Sequence, residues 1–122
     1  DLKKHEKFID LGSGDGRLVF AAAQKCDHAT GVEISPMLHI ISKLKKIKNK
    51  IKNATLIRDT LWNIDLKEYD VVSIYFIPHR MKKLKKKIKR EMKPGSRIVS
   101  HAFTFPDWQD VAKDDTIYIY KV

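Results

Sequence analysis

The 122-residue chain predicts an α/β sandwich: a mostly parallel sheet covered by helices, with an antiparallel strand at its C-terminal end. Three observations carry that expectation. Short apolar runs alternate with amphipathic segments of helical period, the pattern of successive right-handed strand–helix–strand crossovers. The first run ends in three glycines at alternate positions, in Phe8-Ile9-Asp10-Leu11-Gly12-Ser13-Gly14-Asp15-Gly16-Arg17, and an Ala-rich helical segment follows at once. The last run, Thr116 to Lys121, alternates like an edge strand with almost no helix before it, which suits a hairpin entry.

In order, Lys7 to Leu11 is the first strand and Asp15 to Lys25 the first helix. The chain enters that strand without the helix that usually precedes it. Ala29 to Ile34 reads as a second buried strand. Ser35-Pro36 then supplies an N-cap and a proline at the first helical position. The helix it opens carries Met37, Ile40, Ile41, Leu44, Ile47 and Ile51 at helical spacing, with lysines between. Ala54 to Arg58 is a third short strand. Asp70 to Phe76 is nearly continuous in apolar residues, as a central parallel strand should be. Pro78 opens a helix with Met81, Leu84, Ile88 and Met92 on one face, and Pro94-Gly95 stops it. Ser96 to Ala102 is a fifth strand. Asp107 to Lys113 reads equally as a helical turn or a short strand.

Size and composition suit one domain over residues 1–122. The hydrophobic fraction of 43% is ample for a single core, so no metal or disulfide staple is expected. Cys26 is the lone cysteine, which excludes an intrachain disulfide and points to a reducing, cytoplasmic setting. No apolar run approaches the roughly 20 residues of a membrane span, and no signal peptide is visible. The net charge of +10 admits a nucleic-acid partner. Most lysines, however, fall on predicted helix faces opposite an apolar stripe, where solvated charge is expected.

In an open α/β sheet, ligands bind beyond the carboxyl ends of the strands. The first strand ends in Asp10 and Leu11, and the glycines Gly12, Gly14 and Gly16 around Ser13 let backbone approach a ligand at a helix start. A dinucleotide fingerprint needs its third glycine where Arg17 stands, so this spacing has no diphosphate to cradle. Glu33, 23 residues after Asp10, can accept from both ribose hydroxyls, charge-assisted bonds of roughly 1.5–3 kcal/mol. Ile34 follows it. At the third strand end, Asp59 can accept from an adenine amino group, beside Thr60, Leu61 and Trp62. The fourth ends Tyr75-Phe76-Ile77-Pro78-His79, where aromatics suit a lysine stem with cation–π attraction for its ammonium; alternatively Tyr75 and Phe76 simply pack. His79 and His101 lie near strand ends and could serve as bases, or be structural. Trp108 reads as a packing anchor.

With these pieces in line, Phe8 to Arg17, Gly31-Val32-Glu33, Asp59-Thr60-Leu61-Trp62 and Pro94 to His101 with Phe103 and Trp108 resemble one group. They are similar to the small seven-strand, class I protein-lysine methyltransferases. That group includes mitochondrial enzymes acting on the adenine nucleotide translocase and the ATP synthase c-subunit, and an archaeal broad-specificity enzyme. The resemblance implies a Rossmann-like methyltransferase sandwich. It also implies S-adenosylmethionine bound by Asp10, Gly12, Gly14, Glu33 and Asp59, with S-adenosylhomocysteine as product.

The expected activity is methyl transfer to the ε-amine of a protein lysine by direct in-line displacement, in a monomer that needs no metal. Tyr75 and Phe76 would position the acceptor, with His101 as a further candidate. Two alternatives stand beside it: methylation of RNA or a small molecule, suggested by the charge, and a cofactor-binding module without turnover of its own.

Overall fold

The computed structural model describes residues 2–75 and 78–122. They form two compact units, Asp1–Ile64 and Asp65–Val122.

The first unit holds three parallel strands, β1 (Lys7–Leu11), β2 (His28–Val32) and β3 (Ala54–Ile57), in the order β3-β2-β1. Helices α1 (Arg17–Ala23) and α2 (Pro36–Lys48) connect them. Phe8, Ile9, Leu11, Val19, Ala29, Val32 and Ala54 form the buried core. The strands pair level at their carboxyl ends, with Leu11 opposite Val32 and Val32 opposite Ile57. This register sets the three following loops on one edge of the sheet. Helix α1 is shorter than the sequence predicts. Asp15 belongs to the turn before it, and the N–H groups of Gln24 and Lys25 close a tight turn on the carbonyls of Ala21 and Ala22.

Helix α2 starts as expected, with Ser35 Oγ accepting from the Leu38 N–H and Pro36 in the first turn. Its orientation is the surprise. Ser42 is its one fully buried side chain, whereas Met37, Ile40, Leu44 and Ile47 are exposed. The contact with the glycine loop explains this. Ser42 Cβ would stand 3.1 Å from a Cβ added at Gly16, and Lys45 Nζ bonds Asp15 at 2.8 Å. That approach admits only a small residue, so the serine faces inward and the apolar stripe faces out.

The second unit has the strand order β4-β5-β7-β6, from β4 (Val71–Ile74), β5 (Arg97–His101), β6 (Ala112–Asp114) and β7 (Ile117–Lys121). Strands β4 and β5 run parallel; β7 is antiparallel to both β5 and β6. The expected antiparallel C-terminal strand is therefore present. The stretch read two ways from sequence becomes strand at Ala112 and turns into β7 through Asp115 in a left-handed conformation, φ 53°. A 3₁₀ turn, Pro78–Arg80, leads into α3 (Met81–Glu91), which buries Met81, Leu84 and Ile88 as its spacing predicts. Phe105, Trp108 and Tyr120 pack at centroid distances of 4.9–5.2 Å, and the Phe105 N–H donates to the Tyr120 hydroxyl oxygen at 3.0 Å. Trp108 is thus a packing residue, with Lys89 Nζ 4.1 Å from its ring centroid.

Candidate active site

In the first unit, the chain leaving β1 turns sharply across the end of β2. The N–H groups of Gly12 and Ser13 both donate to the Val32 carbonyl, at 2.8 and 2.9 Å, and the Gly16 N–H donates to the Ser13 carbonyl at 3.0 Å. Gly14 and Gly16 are left-handed, φ 58° and 87°, a region that costs other L-residues roughly 1–2 kcal/mol. Their surroundings differ. A Cβ on Gly16 would meet the Phe20 ring at 2.9 Å, whereas one on Gly14 would meet nothing within 4 Å. Gly16 packs the loop onto the helices. Gly14, half-buried, leaves open space beside the loop backbone.

Glu33 is tied to that loop. Its Oε1 accepts from the Gly14 N–H at 2.8 Å and its Oε2 from the Ser35 N–H at 2.9 Å. A carboxylate offers about four acceptor sites, so both oxygens keep capacity for further donors. Asp10 is buried on β1, opposite Gly31. Asp15 fastens the loop from the other side, accepting from Lys45 Nζ at 2.8 Å and from the Arg17 N–H at 3.1 Å. The Lys45 hydrogen bond is the main reason that its carboxyl titrates below the ordinary range.

Asp59, after β3, is engaged locally. Its Oδ1 accepts from the Thr60 N–H at 2.7 Å and from Asn63 Nδ2 at 3.0 Å, tying it to the 3₁₀ turn Leu61–Asn63. Oδ2 takes no part in these bonds. Thr60, Leu61 and Trp62 are half-buried, and Ile34 is exposed.

Tyr75, in the second unit, is exposed and meets Phe103 edge to face at 5.8 Å. Phe76 lies outside the described residues. His101 is half-buried at the end of β5, its Nε2 2.9 Å from Ser73 Oγ; burial pushes its pKa down, which keeps the ring neutral at pH 7. Ala102, next in the chain, is left-handed with φ 72°. His79 is exposed. Among the described residues no group of three His, Cys, Asp or Glu side chains could hold a metal ion.

Geometry thus joins Glu33 to the glycine loop, sets Asp59 on the same strand edge, and pairs His101 with Ser73. Sequence reading missed the bracing roles of Ser35, Asp15 with Lys45, and Ser73. Ser73 had a visible signal, as the polar residue within the apolar run Val71-Val72-Ser73-Ile74.

Comparison with known proteins fits this arrangement. A solved RNA methyltransferase from Salinibacter ruber, in complex with S-adenosyl-L-homocysteine, superposes with a TM-score of 0.95 at 28% identity, over 100% of this chain and 84% of that one. The fold is therefore the Rossmann-like α/β fold of the class I S-adenosylmethionine-dependent methyltransferases. More narrowly, residues 10–112 match the ANTKMT methyltransferase domain, and the chain belongs to that family. The human lysine N-methyltransferase of the ATP synthase c-subunit is 36% identical over 101 residues, 82% of this chain and 43% of that protein. A protein-lysine N-methyltransferase from Saccharolobus islandicus is 33% identical over 125 residues, 93% of this chain and 77% of that protein. The chain spans about half the length of most curated lysine methyltransferases it matches, from 41% to 53% for the vertebrate proteins.

Proposed function

We propose that this chain binds S-adenosylmethionine and transfers its methyl group to the ε-amine of a protein lysine. The observation that carries the cofactor half is the Glu33 carboxylate, held by Gly14 and Ser35 with acceptor capacity to spare. Family membership and the lysine methyltransferases among its relatives carry the acceptor half. The donor set fits the cofactor. Open space at Gly14 admits a ligand against the backbone, Glu33 can accept from two ribose hydroxyls, and Asp10 suits an ammonium. Asp59 Oδ2 suits the adenine amine, with Leu61 or Trp62 covering the ring.

When bound, the cofactor supplies a methyl carbon on a positive sulfonium, open to in-line attack by a neutral amine. The chain contributes mainly positioning, worth roughly 7–11 kcal/mol in well-oriented reactions. Tyr75 and Phe76 would hold the lysine stem, and the neutral ring of His101 can take up the proton the ammonium must lose. The test is methyl transfer from labelled cofactor to a panel of protein and peptide lysines. Label on lysine supports the reading; bound cofactor with no transfer to any of them overturns it.

A second reading, RNA methylation, is favoured by the name of the Salinibacter structure and by the net charge of +10. Label appearing in RNA rather than protein in the same assay selects it, with affinity that falls steeply as salt rises.

A further inference from the structure

The stripe on α2 is unexplained by methyl transfer. Ile40 and Leu44 stand two residues either side of the buried Ser42, roughly 200° around the helix. Met37, Ile40, Leu44 and Ile47 are 56–73% exposed, so the helix turns its most apolar face to water. Single exposed apolar residues are ordinary, whereas a contiguous row marks an interaction surface.

The charge around the row says what kind. No acidic residue occurs between Glu33 and Asp59, while lysines stand at positions 43, 45, 46, 48, 50 and 52. Lys45 is paired with Asp15; the other five form no ion pair among the described residues. Where the helix ends, Lys43, Lys46, Lys50 and Lys52 surround Ile47 and Ile51 in a groove of about 470 Å³. Ammonium groups beside an aliphatic floor suit a ligand with an anionic head and an apolar body.

We propose that this face of α2 docks on an anionic lipid bilayer. The apolar row enters the boundary between headgroups and acyl chains, and the lysines hold lipid phosphates. An amphipathic helix lying in the interface combines these two features, and basic residues near an anionic surface add about 1 kcal/mol each, or about fivefold in affinity. Nucleic acid would use the lysines but leave the aliphatic row in water. A second copy would bring two lysine-rimmed faces together, against their mutual repulsion.

The test is cosedimentation of the purified chain with phosphatidylcholine vesicles, with and without phosphatidylglycerol. Binding to the anionic vesicles is expected, weakened at least about tenfold by a variant carrying Ile40→Ser, Leu44→Ser and Ile47→Ser. A second variant, Lys43→Gln, Lys46→Gln and Lys50→Gln, should lose about a hundredfold, at about fivefold for each lysine. All six side chains lie outside the core, and circular dichroism melting checks that both variants fold. No binding to anionic vesicles overturns the proposal. So does binding that the serine variant leaves intact, which is adsorption by charge alone. Dimers that the serine variant dissolves, without vesicle binding, assign the face to a second copy. RNA binding without vesicle binding assigns it to nucleic acid.

Discussion

The Gly14 N–H donates to the Glu33 carboxylate across 2.8 Å, which makes the acidic residue at the end of β2 a brace for the glycine loop as well as a candidate ribose ligand. The second oxygen accepts from Ser35 at the start of α2. One side chain therefore fixes the loop and the helix start against each other. A glutamine at this position could satisfy only one of the two N–H donors and would turn its own amide donors toward the other. Glu33→Gln is expected to weaken S-adenosylmethionine binding at least about tenfold, from the loss of a charge-assisted hydrogen bond. It should also speed amide hydrogen exchange at Gly14. Calorimetry and exchange read the two roles separately, and unchanged affinity would remove Glu33 from the cofactor site.

Gly14 and Gly16 should respond differently to alanine. At Gly16 the new methyl group would collide with the Phe20 ring as well as strain the backbone. Gly16→Ala is therefore expected to destabilise the fold by about 2–3 kcal/mol in urea unfolding. At Gly14 only the left-handed φ opposes the change, so the stability cost should stay near 1 kcal/mol. If the cofactor lies against this backbone, Gly14→Ala should cost much more in affinity than in stability. Equal affinity of Gly14→Ala and the parent chain would place the cofactor elsewhere.

Much of this was legible beforehand because local chemistry and global fold agree. Glycines at alternate positions after β1, Ser35-Pro36 before α2 and the spaced apolar residues of α3 each specify their element unaided. The ends of α1 were not legible. Asp15 bonds the N–H of Arg17 and the ammonium of Lys45, and its place in the turn depends on a partner 30 residues away. Helix α2 misleads for a similar reason. Periodicity shows that one face is apolar, but which face turns inward was decided by the close approach at Gly16. For the candidate site, residue types at strand ends were readable, whereas the partners that orient them were not, since Ser73 and His101 are 28 residues apart.

Burial of His101 carries a pH signature. Its ring titrates below the ordinary 6.5, so as pH falls through that value the unfolded chain takes up the proton first. Stability then rises with pH, and it declines from about pH 7 downward until the folded ring is itself protonated. His39, also depressed by burial and by Lys43 and Arg58, adds to the same limb. Thermal midpoints should fall between about pH 7 and pH 5.5, and His101→Gln should flatten part of that slope. An identical slope in the variant would show that the ring is not protected from protonation.

The pair of Lys87 and Glu91 offers a test independent of any ligand. Lys87 is buried, and its Nζ donates to both oxygens of Glu91 at 2.9 and 2.8 Å. The Leu66 N–H donates to the same carboxylate at 3.0 Å. Burial alone would raise the Glu91 pKa, but the bonds from Lys87, Leu66 and Arg90 outweigh it and the net shift is downward. Removing Glu91 alone should therefore cost more than removing the pair. Glu91→Ala strands a buried ammonium and an N–H donor, and is expected to cost about 3 kcal/mol. Lys87→Met keeps the aliphatic stem and leaves Glu91 its bonds to Leu66 and Arg90, so it should cost about 1 kcal/mol. In the Lys87→Met background the penalty for Glu91→Ala should shrink to about 1 kcal/mol, because no charge is left unpaired. Urea unfolding of the four chains measures that coupling. Additive penalties would mean that the two side chains act independently and that the contact between them contributes nothing to the fold.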